Sequence, residues 1–387
     1  MGKFNQTLLL SFMLLSILVL LTGCWSNKPI EELNIIVGSS IDKDKDQDQQ
    51  IKSTLQYVVP EAMAKKAGGS TSQQKPYINV SAVANSLEPA GWKTTLQREG
   101  IIFGPHQKTV IISEEIARET PLRQIADLYY RDIDIRGSTH VFIAKGRADQ
   151  TLETKEQNVI PALRIAEIAT QSFTTEVLTD TTLMKIWGSI NSGSSFLLQM
   201  LDSTSGEVSF NGAAVIGSTS KMIGFLNKKE VEGINWLTGE GKGGYVKAYL
   251  KEEDKPTYYQ IGSMKSKIKP HVKGKDISFD VSIESEGRIA EYWNPHLKEA
   301  FNNKNVKHIE KAAEIEVQRI VENVIKKTQK ELKVDVVGFG NQLRIQEPRL
   351  WNKIKNHWDE DFSKASIHYK VDLTIKDYGM LGSKNNK

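Results

Sequence analysis

The feature that most constrains this chain is its single cysteine, Cys24, among 387 residues. One cysteine allows no intramolecular disulfide and no metal site built from several thiolates. The folded part must therefore be held together by hydrophobic cores alone. With 39% hydrophobic and 25% charged residues, the chain has the composition of a folded, water-soluble protein. Its length suits two or three domains better than one.

The amino terminus has the pattern of a lipoprotein signal peptide. After Lys3, the fourteen residues from Leu8 to Leu21 carry no charge, and as a helix they would span only about 21 Å. A bilayer core is about 30 Å thick, so this length favours a cleaved signal over a permanent span. The Leu21-Thr-Gly-Cys24 segment that follows is typical of a lipobox. We predict that residues 1–23 are removed and that Cys24 carries an S-diacylglyceryl group, with or without an N-acyl chain. The alternative is an uncleaved anchor with an incidental cysteine.

The charge balance bears on the class of partner. Lys and Arg total 51 against 47 acidic residues, a formal net charge of +4. So small an excess, spread without dense clusters, argues against a nucleic-acid binder. The sequence therefore predicts no nucleic-acid partner.

Hydrophobic patterns predict an α+β fold of two to three domains, with mixed or antiparallel sheets packed by helices. The segments Asp276 to Glu284 and Ser366 to Lys376 alternate apolar and polar residues, which predicts half-buried strands. Between them, one long helix is predicted near Val306–Leu332 from an apolar stripe at helical spacing. We assign residues 1–23 to the signal peptide, 24–202 to an N-terminal region of one or two α/β domains, 203–380 to a C-terminal domain and 381–387 to a polar tail.

An acidic turn resembles part of a calcium-binding loop. Asp42, Asp44 and Asp46 alternate as such a loop requires, but Gln47 and Ser53 stand where it needs glycine and a bidentate glutamate. The pattern therefore favours a solvated hairpin tip over a calcium site.

Other motifs for catalysis or ligand binding are incomplete. Gly193-Ser-Ser lacks the second glycine of a nucleophile elbow, and the glycine-rich run Gly239–Gly244 lacks the spacing of a phosphate-binding loop. The seven histidines are scattered without metal-ligand spacing. Four tryptophans could line a ligand cleft, but packing in a core or at its rim is the favoured interpretation; they are Trp236, Trp293, Trp351 and Trp358. The sequence predicts no catalytic, cofactor-binding or metal-binding residues, and no cofactor.

A series of short segments in a fixed order resembles the Ger(x)C, or GerAC-type, lipoproteins. The series begins at Cys24-Trp25 and includes Ile36-Val-Gly-Ser-Ser-Ile-Asp42, and its strongest block runs from Phe210-Asn-Gly-Ala-Ala-Val215 to Gly233-Ile-Asn-Trp-Leu-Thr-Gly239. Near the carboxyl end it continues with these segments: Asp335-Val-Val-Gly-Phe-Gly340, Pro348-Arg-Leu-Trp351 and Trp358 before Phe362. The resemblance covers nearly all of the chain after Cys24.

The resemblance implies the C subunit of a spore nutrient-germinant receptor, with a three-domain α/β body and no catalytic residues. It implies two integral membrane partners, the A and B subunits, and a location on the outer face of the bacterial membrane, here the spore inner membrane. Only Cys24 is carried over as a site residue, through its lipid. We further expect the segment from Gly233 to Gly244 to be an exposed turn at an interface.

Two other classes of function stay open at this point. The first is a solute-binding lipoprotein of a membrane importer, which would have a cleft between two doubly wound lobes. The second is a cell-envelope enzyme, which would require a pocket holding carboxylates with perturbed pKa values.

Overall fold

The computed structural model describes residue 8, residues 11–13, Pro29 and residues 32–377, apart from gaps at 47–49, 68–73, 133, 172, 179, 204–206, 251–254, 275 and 294–302. Cys24, nearly all of the predicted signal peptide and the polar tail 381–387 lie outside the described residues. Within them, none of the helices combines the length and the hydrophobicity that a membrane span needs.

The first sheet is mixed. Its strands, joined in the order β3-β2-β1-β5-β6-β7-β8-β9 with β4 paired to β1, are β1 (Leu33–Lys43), β2 (Ile51–Val58), β3 (Tyr77–Ala84), β4 (Ile101–Phe103), β5 (Thr109–Ser113), β6 (His140–Ala144), β7 (Phe196–Asp202), β8 (Ser209–Ile216) and β9 (Met222–Leu226). Strands β1, β5, β6 and β7 run parallel, and β4 runs parallel to β1. The outer strands β2, β3, β8 and β9 pair antiparallel.

Helices cover both faces of this sheet, as a buried parallel centre requires. Every residue of β5 is buried. Two core clusters lie on opposite sides of the sheet, one containing Val110 and Ile112 and the other Ile111. The helices that follow these strands are α1 (Pro60–Ala67), α2 (Leu87–Thr94), α3 (Glu114–Glu119), α4 (Leu122–Arg131), α5 (Pro161–Gln171) and α6 (Leu183–Ser192).

The second sheet has four strands in the order β10-β11-β12-β13, namely β10 (Tyr245–Tyr249), β11 (Pro256–Lys273), β12 (Asp276–Tyr292) and β13 (Ser366–Asp377). The first three pair antiparallel, whereas β12 and β13 run parallel. The helices of this half are α7 (Lys228–Thr238), α8 (Asn303–Lys326), α9 (Phe339–Gln346), α10 (Pro348–Ile354) and α11 (Trp358–Lys364). The predicted α+β class with mixed sheets packed by helices is confirmed.

The predicted long helix is present and slightly longer than expected. Helix α8 begins at Asn303 and continues as a π-helical segment, Lys327–Leu332. The apolar stripe predicted from the sequence is buried against the second sheet at five positions: Ile309, Ala313, Val317, Ile320 and Val324.

The domain boundary assigned between residues 202 and 203 stays a prediction. Strands β8 and β9 follow that point in the chain, yet β8 is hydrogen-bonded to β7 in the first sheet. Ala213 and Val215 on β8 also belong to the large core cluster of the carboxyl-terminal half. The two halves therefore share a continuous apolar contact at β8 and β9.

Candidate functional site

An open cleft of about 790 Å³ lies at the carboxyl edge of the parallel strands, where β1, β5 and β6 end. In open α/β sheets, ligands bind outside the carboxyl ends of the strands. The cleft is therefore the first place to look for a small ligand. Its lining side chains are mostly charged and include Asp42, Lys43, Glu114, Glu115, Arg118 and Arg147.

Asp42 is the buried group of this cleft, with only 2% of its surface exposed. Its carboxylate accepts hydrogen bonds from the backbone N–H groups of Ala148 at 2.6 Å and Asp149 at 2.9 Å. Burial raises the pKa of the Asp42 carboxyl, and these two hydrogen bonds oppose the shift. The predicted solvated hairpin tip is therefore wrong at Asp42, since this residue is the penultimate residue of β1 and is turned toward the segment after β6.

The charges around Asp42 are paired within the chain. Asp149 forms ion pairs with Arg147 and, at 3.0 Å, with Lys52. Across the cleft, Lys43 lies 3.0 Å from Glu119. Among the described residues, no group of three or more histidine, cysteine or acidic side chains could hold a metal ion. The arrangement fixes the turn after β6 to the end of β1, which makes Asp42 a structural latch.

Replacing Asp42 by Ala would leave two buried N–H groups without acceptors, which we expect to cost about 1–3 kcal/mol of unfolding free energy. Because the folded-state pKa is raised, the contribution of Asp42 to stability is largest below its unfolded pKa and decreases as the pH rises through the folded value. The loss in Asp42→Ala should therefore be larger near pH 4 than near pH 7, roughly the range over which carboxyls titrate. Urea denaturation at both pH values measures this loss of unfolding free energy, with Glu115→Ala as the exposed control. An equal, negligible loss in both variants would contradict the latch.

The predicted lipid site, Cys24, lies outside the described residues, and the first described residues after it are Pro29 and Glu32. Pro29, five residues later, accepts a hydrogen bond from the N–H of Glu32 at 3.1 Å. Strand β1 then begins at Leu33, which pairs with Ile101 of β4. The chain thus enters the fold at the amino edge of the parallel strands, opposite the charged cleft.

Helix α7 connects the two halves. Its Asn235 donates two hydrogen bonds, to the carbonyl oxygens of Thr175 at 2.8 Å and Val177 at 3.0 Å. A Cβ atom on Gly233 would lie 2.7 Å from Cγ1 of Val324 on α8, so only glycine lets the two helices approach this closely. The helix therefore holds the segment before α6 and the long helix in one packed unit.

The exposed turn predicted from Gly233 to Gly244 is wrong in its first half. Every residue from Val231 to Leu237 is buried within α7. Only Gly239–Gly244 form a loop, and Gly239 ends the helix in the left-handed region at φ 73°. The helix is buried on more than one side, between the first sheet and α8, so it lacks the one-sided apolar stripe that marks a surface helix.

A second polar anchor organises the carboxyl-terminal half. One carboxylate oxygen of Asp335 accepts the backbone N–H groups of residues 337–339 at 2.9–3.2 Å. The other accepts the N–H of Gly340 at 2.7 Å and the indole N–H of Trp358 at 2.9 Å. Asp335 therefore holds the start of α9 and the start of α11 together.

The tryptophans pack rather than line a common cleft. Trp236 is fully buried and Trp358 is 7% exposed. Trp351 contacts Trp358 edge-on, with ring centroids 5.6 Å apart. Trp293 differs, since 59% of its surface is exposed. The packing interpretation is confirmed for Trp236, Trp351 and Trp358.

Comparison with known families decides the identity. The family model described as the spore germination protein N-terminal domain matches residues 26–203. The model described as the spore germination B3/GerAC-like C-terminal domain matches residues 211–379. The chain belongs to the GerAC-type spore germination family. This family comprises C subunits of germinant receptors and is not a known enzyme family, and the role of this GerAC-type protein is in spore germination.

Relatives of this GerAC-type protein match along nearly the whole chain. Spore germination protein YndF of Bacillus subtilis (strain 168) is 41% identical over 386 residues, covering 94% of this chain and 95% of the relative. Spore germination protein A3 of the same organism is 31% identical and covers 94% of this chain and 96% of its own length. The crystal structure of the GerBC protein matches with a TM-score of 0.62 at 24% identity, over 88% of this chain and 97% of that chain. At this identity the structural match shows the shared fold.

Most of the segments that carry the family resemblance are packing elements of this GerAC-type fold. The Gly233–Gly239 block forms the buried helix α7 and its end. The Asp335–Gly340 block forms the carboxylate-centred start of α9. Sequence reasoning identified these blocks but missed what Asn235 and Asp335 do, because their partners are distant in the chain or are backbone N–H groups.

Proposed function

We propose that this chain is the lipid-anchored C subunit of a spore nutrient-germinant receptor. It acts by protein–protein contacts with the integral membrane A and B subunits, and not by catalysis. The observation that carries the proposal is the match of both halves to the germination family models, residues 26–203 and 211–379. The relatives named A3 and B3 are described as spore germination proteins, which supports a role in the same process.

The lipid on Cys24 is the proposed anchor at the outer face of the spore inner membrane. A diacylglyceryl group supplies two acyl chains, which suffice for stable anchoring where one chain does not. Confinement to the membrane surface raises the effective concentration of the chain toward membrane partners, so weak contacts can assemble a complex.

Co-purification from spore membranes tests the proposal. An affinity-tagged chain solubilised in mild detergent is expected to bring down two integral membrane proteins, identified by mass spectrometry. The matched control is Cys24→Ala, which we expect to leave the membrane fraction and to recover neither partner. Recovery of the wild-type chain from membranes without any integral membrane protein would contradict the partner-based mechanism. Retention of Cys24→Ala in the membrane, unlipidated, would contradict the anchor.

The importer alternative receives no support from the sheets. It predicts two doubly wound lobes, each built on a parallel sheet. Of the two sheets described, only the first has a parallel centre, and the second contains a single parallel pair, β12 with β13. A saturable small-molecule ligand of the soluble body would have to bind elsewhere than between two such lobes.

A further inference from the structure

Strand β9 leaves one edge of the first sheet open. It is the last strand in the order of that sheet, and among the described strands it pairs only with β8. On such an edge strand, alternate backbone N–H and C=O groups point away from the sheet and can pair with another strand. The strand, Met222-Ile-Gly-Phe-Leu226, has no charged residue. Its Ile223 and Phe225 side chains are 46% and 38% exposed.

The opposite edge of the same sheet is closed by side chains. Strand β3 also lacks charged residues, but Lys93 donates to the carbonyl oxygen of Val83 at 2.8 Å, and Gln97 donates to that of Ser81 at 3.1 Å. The segment formed by α2 and the turn after it therefore occupies two carbonyl groups of β3. In the described part of the chain, no side chain makes such a hydrogen bond to the backbone of β9.

The outer strands of the second sheet carry charges instead. Lys247 lies at the centre of β10, and β13 has charged side chains at alternate positions, among them Lys370, Asp372 and Lys376. Charges on an edge strand oppose pairing with another chain, and natural proteins use charges or covering groups to protect such edges. Of the four outer strands, β9 is therefore the one suited to accept a further strand.

We propose that β9 is a docking edge for an extended segment of a partner protein, which adds one strand to the first sheet. Main-chain hydrogen bonds supply the affinity, and contacts with Ile223 and Phe225 select apolar side chains on the added strand. The inference gives a surface to the protein–protein contacts of the proposed function, and it rests on that function only for the identity of the partner.

Cations at both ends of β9 define the added strand further. Lys221 precedes β9 and Lys228 follows it, and neither forms an ion pair with another described residue. Glu230, the next acid along the chain, accepts the backbone N–H of Asn227 in the capping box of α7. A strand with an apolar centre and an acidic residue at each end complements this edge, because opposite charges on neighbouring strands stabilise their pairing.

The same cations oppose pairing of β9 with a second copy of this chain. An antiparallel pair centred on Gly224 would bring Lys221 of one copy close to Lys228 of the other, at both ends of the pair. Like charges that meet across strands are destabilising. The occupant is therefore a strand of different sequence.

Peptide binding to the full lipidated chain in detergent micelles tests the edge without any receptor subunit. The probe is a fluorescent peptide, Glu-Val-Thr-Val-Thr-Val-Glu, and its counterpart has Lys at both ends. A third peptide keeps the acidic ends but has N-methyl groups on alternate backbone amides, which removes donors needed for strand pairing. Fluorescence anisotropy measures binding, with empty micelles as the blank.

The acid-ended peptide is expected to bind severalfold more tightly than the Lys-ended one, and N-methylation should abolish binding. Lys221→Glu combined with Lys228→Glu should reverse the preference. Ile223→Lys should abolish binding, whereas the matched control Ile78→Lys, at a residue 41% exposed on β3, should not change it. Circular dichroism checks that both variants fold. Amide hydrogen exchange of residues 222–226 should slow when the acid-ended peptide binds.

No saturable binding at millimolar peptide, equal affinity for the two kinds of peptide end, or unchanged binding after N-methylation overturns the docking edge. An equal loss of binding in Ile223→Lys and Ile78→Lys also overturns it. A dimer of the full chain that Ile223→Lys dissociates assigns β9 to a second copy and overturns the partner strand.

Co-purification tests the receptor complex separately. Recovery of two membrane proteins by a chain whose β9 binds no peptide overturns the docking edge alone. Peptide binding at β9 by a chain that recovers no membrane protein contradicts the proposed function and supports the edge.

Discussion

Replacing Asp335 by Ala is expected to destabilise the carboxyl-terminal half by at least about 3–5 kcal/mol, since each buried donor left without its acceptor costs about 1–3 kcal/mol. The carboxylate accepts five hydrogen bonds, four from backbone N–H groups and one from the Trp358 indole. All five donors would lose their acceptor, and each buried, unsatisfied group costs free energy. Because an ordinary domain is stable by only about 5–15 kcal/mol, the loss approaches the whole stability of this half.

Two companion variants make the Asp335 result specific. Asp335→Asn keeps one carbonyl oxygen for the backbone N–H groups of residues 337–339 but turns an NH₂ group toward the Gly340 N–H and the Trp358 indole. Its loss of unfolding free energy should therefore be intermediate. Asp359→Ala removes a neighbouring carboxylate that, among the described residues, accepts the Asp335 N–H alone, at 3.3 Å, so this variant should lose little unfolding free energy. Thermal unfolding followed by near-ultraviolet circular dichroism measures all three. Equal stability of Asp335→Ala and Asp359→Ala would show that the carboxylate is not the anchor.

The stability of the aromatic cluster depends on the same residue. Phe279, Phe339 and Phe362 are fully buried. The Phe339 ring contacts the other two, with centroids 4.9 Å from Phe279 and 5.6 Å from Phe362. Phe339 lies at the start of α9, which Asp335 fixes. The near-ultraviolet signal should therefore decrease together with the loss of stability.

Much of the fold could be predicted from the sequence where a single periodicity controls the element. The one-sided stripe of α8 predicted that helix nearly to its ends, since only one face of the helix contacts the sheet. The alternation in β12 and β13 predicted half-buried strands for the same reason.

Elements buried on several sides were harder to predict. The sequence predicts a turn in place of helix α7 because Gly233 and the buried polar residues Glu232 and Asn235 hide the helical pattern. Burial raises the pKa of the Glu232 carboxyl, and its ion pair with Lys229, at 2.7 Å, opposes the shift. Only the neighbouring elements explain why such residues are tolerated there.

The site residues were predictable to different degrees. Asp42 was misread because its partners, the N–H groups of Ala148 and Asp149, are more than 100 residues away in the chain.

Spores lacking this chain are expected to germinate much more slowly in response to one class of nutrient, and at the normal rate in response to unrelated triggers. The physical reason is that membrane subunits without their surface partner form an incomplete receptor. The most direct measurement is the germination rate of such spores, with paralogous receptors removed, for each nutrient in turn. Restoring the wild-type chain should restore the response, whereas Cys24→Ala should not, because its local concentration at the membrane would be lost. Unchanged germination with every nutrient, or full rescue by an unlipidated Cys24→Ala chain, would contradict a membrane-tethered receptor subunit.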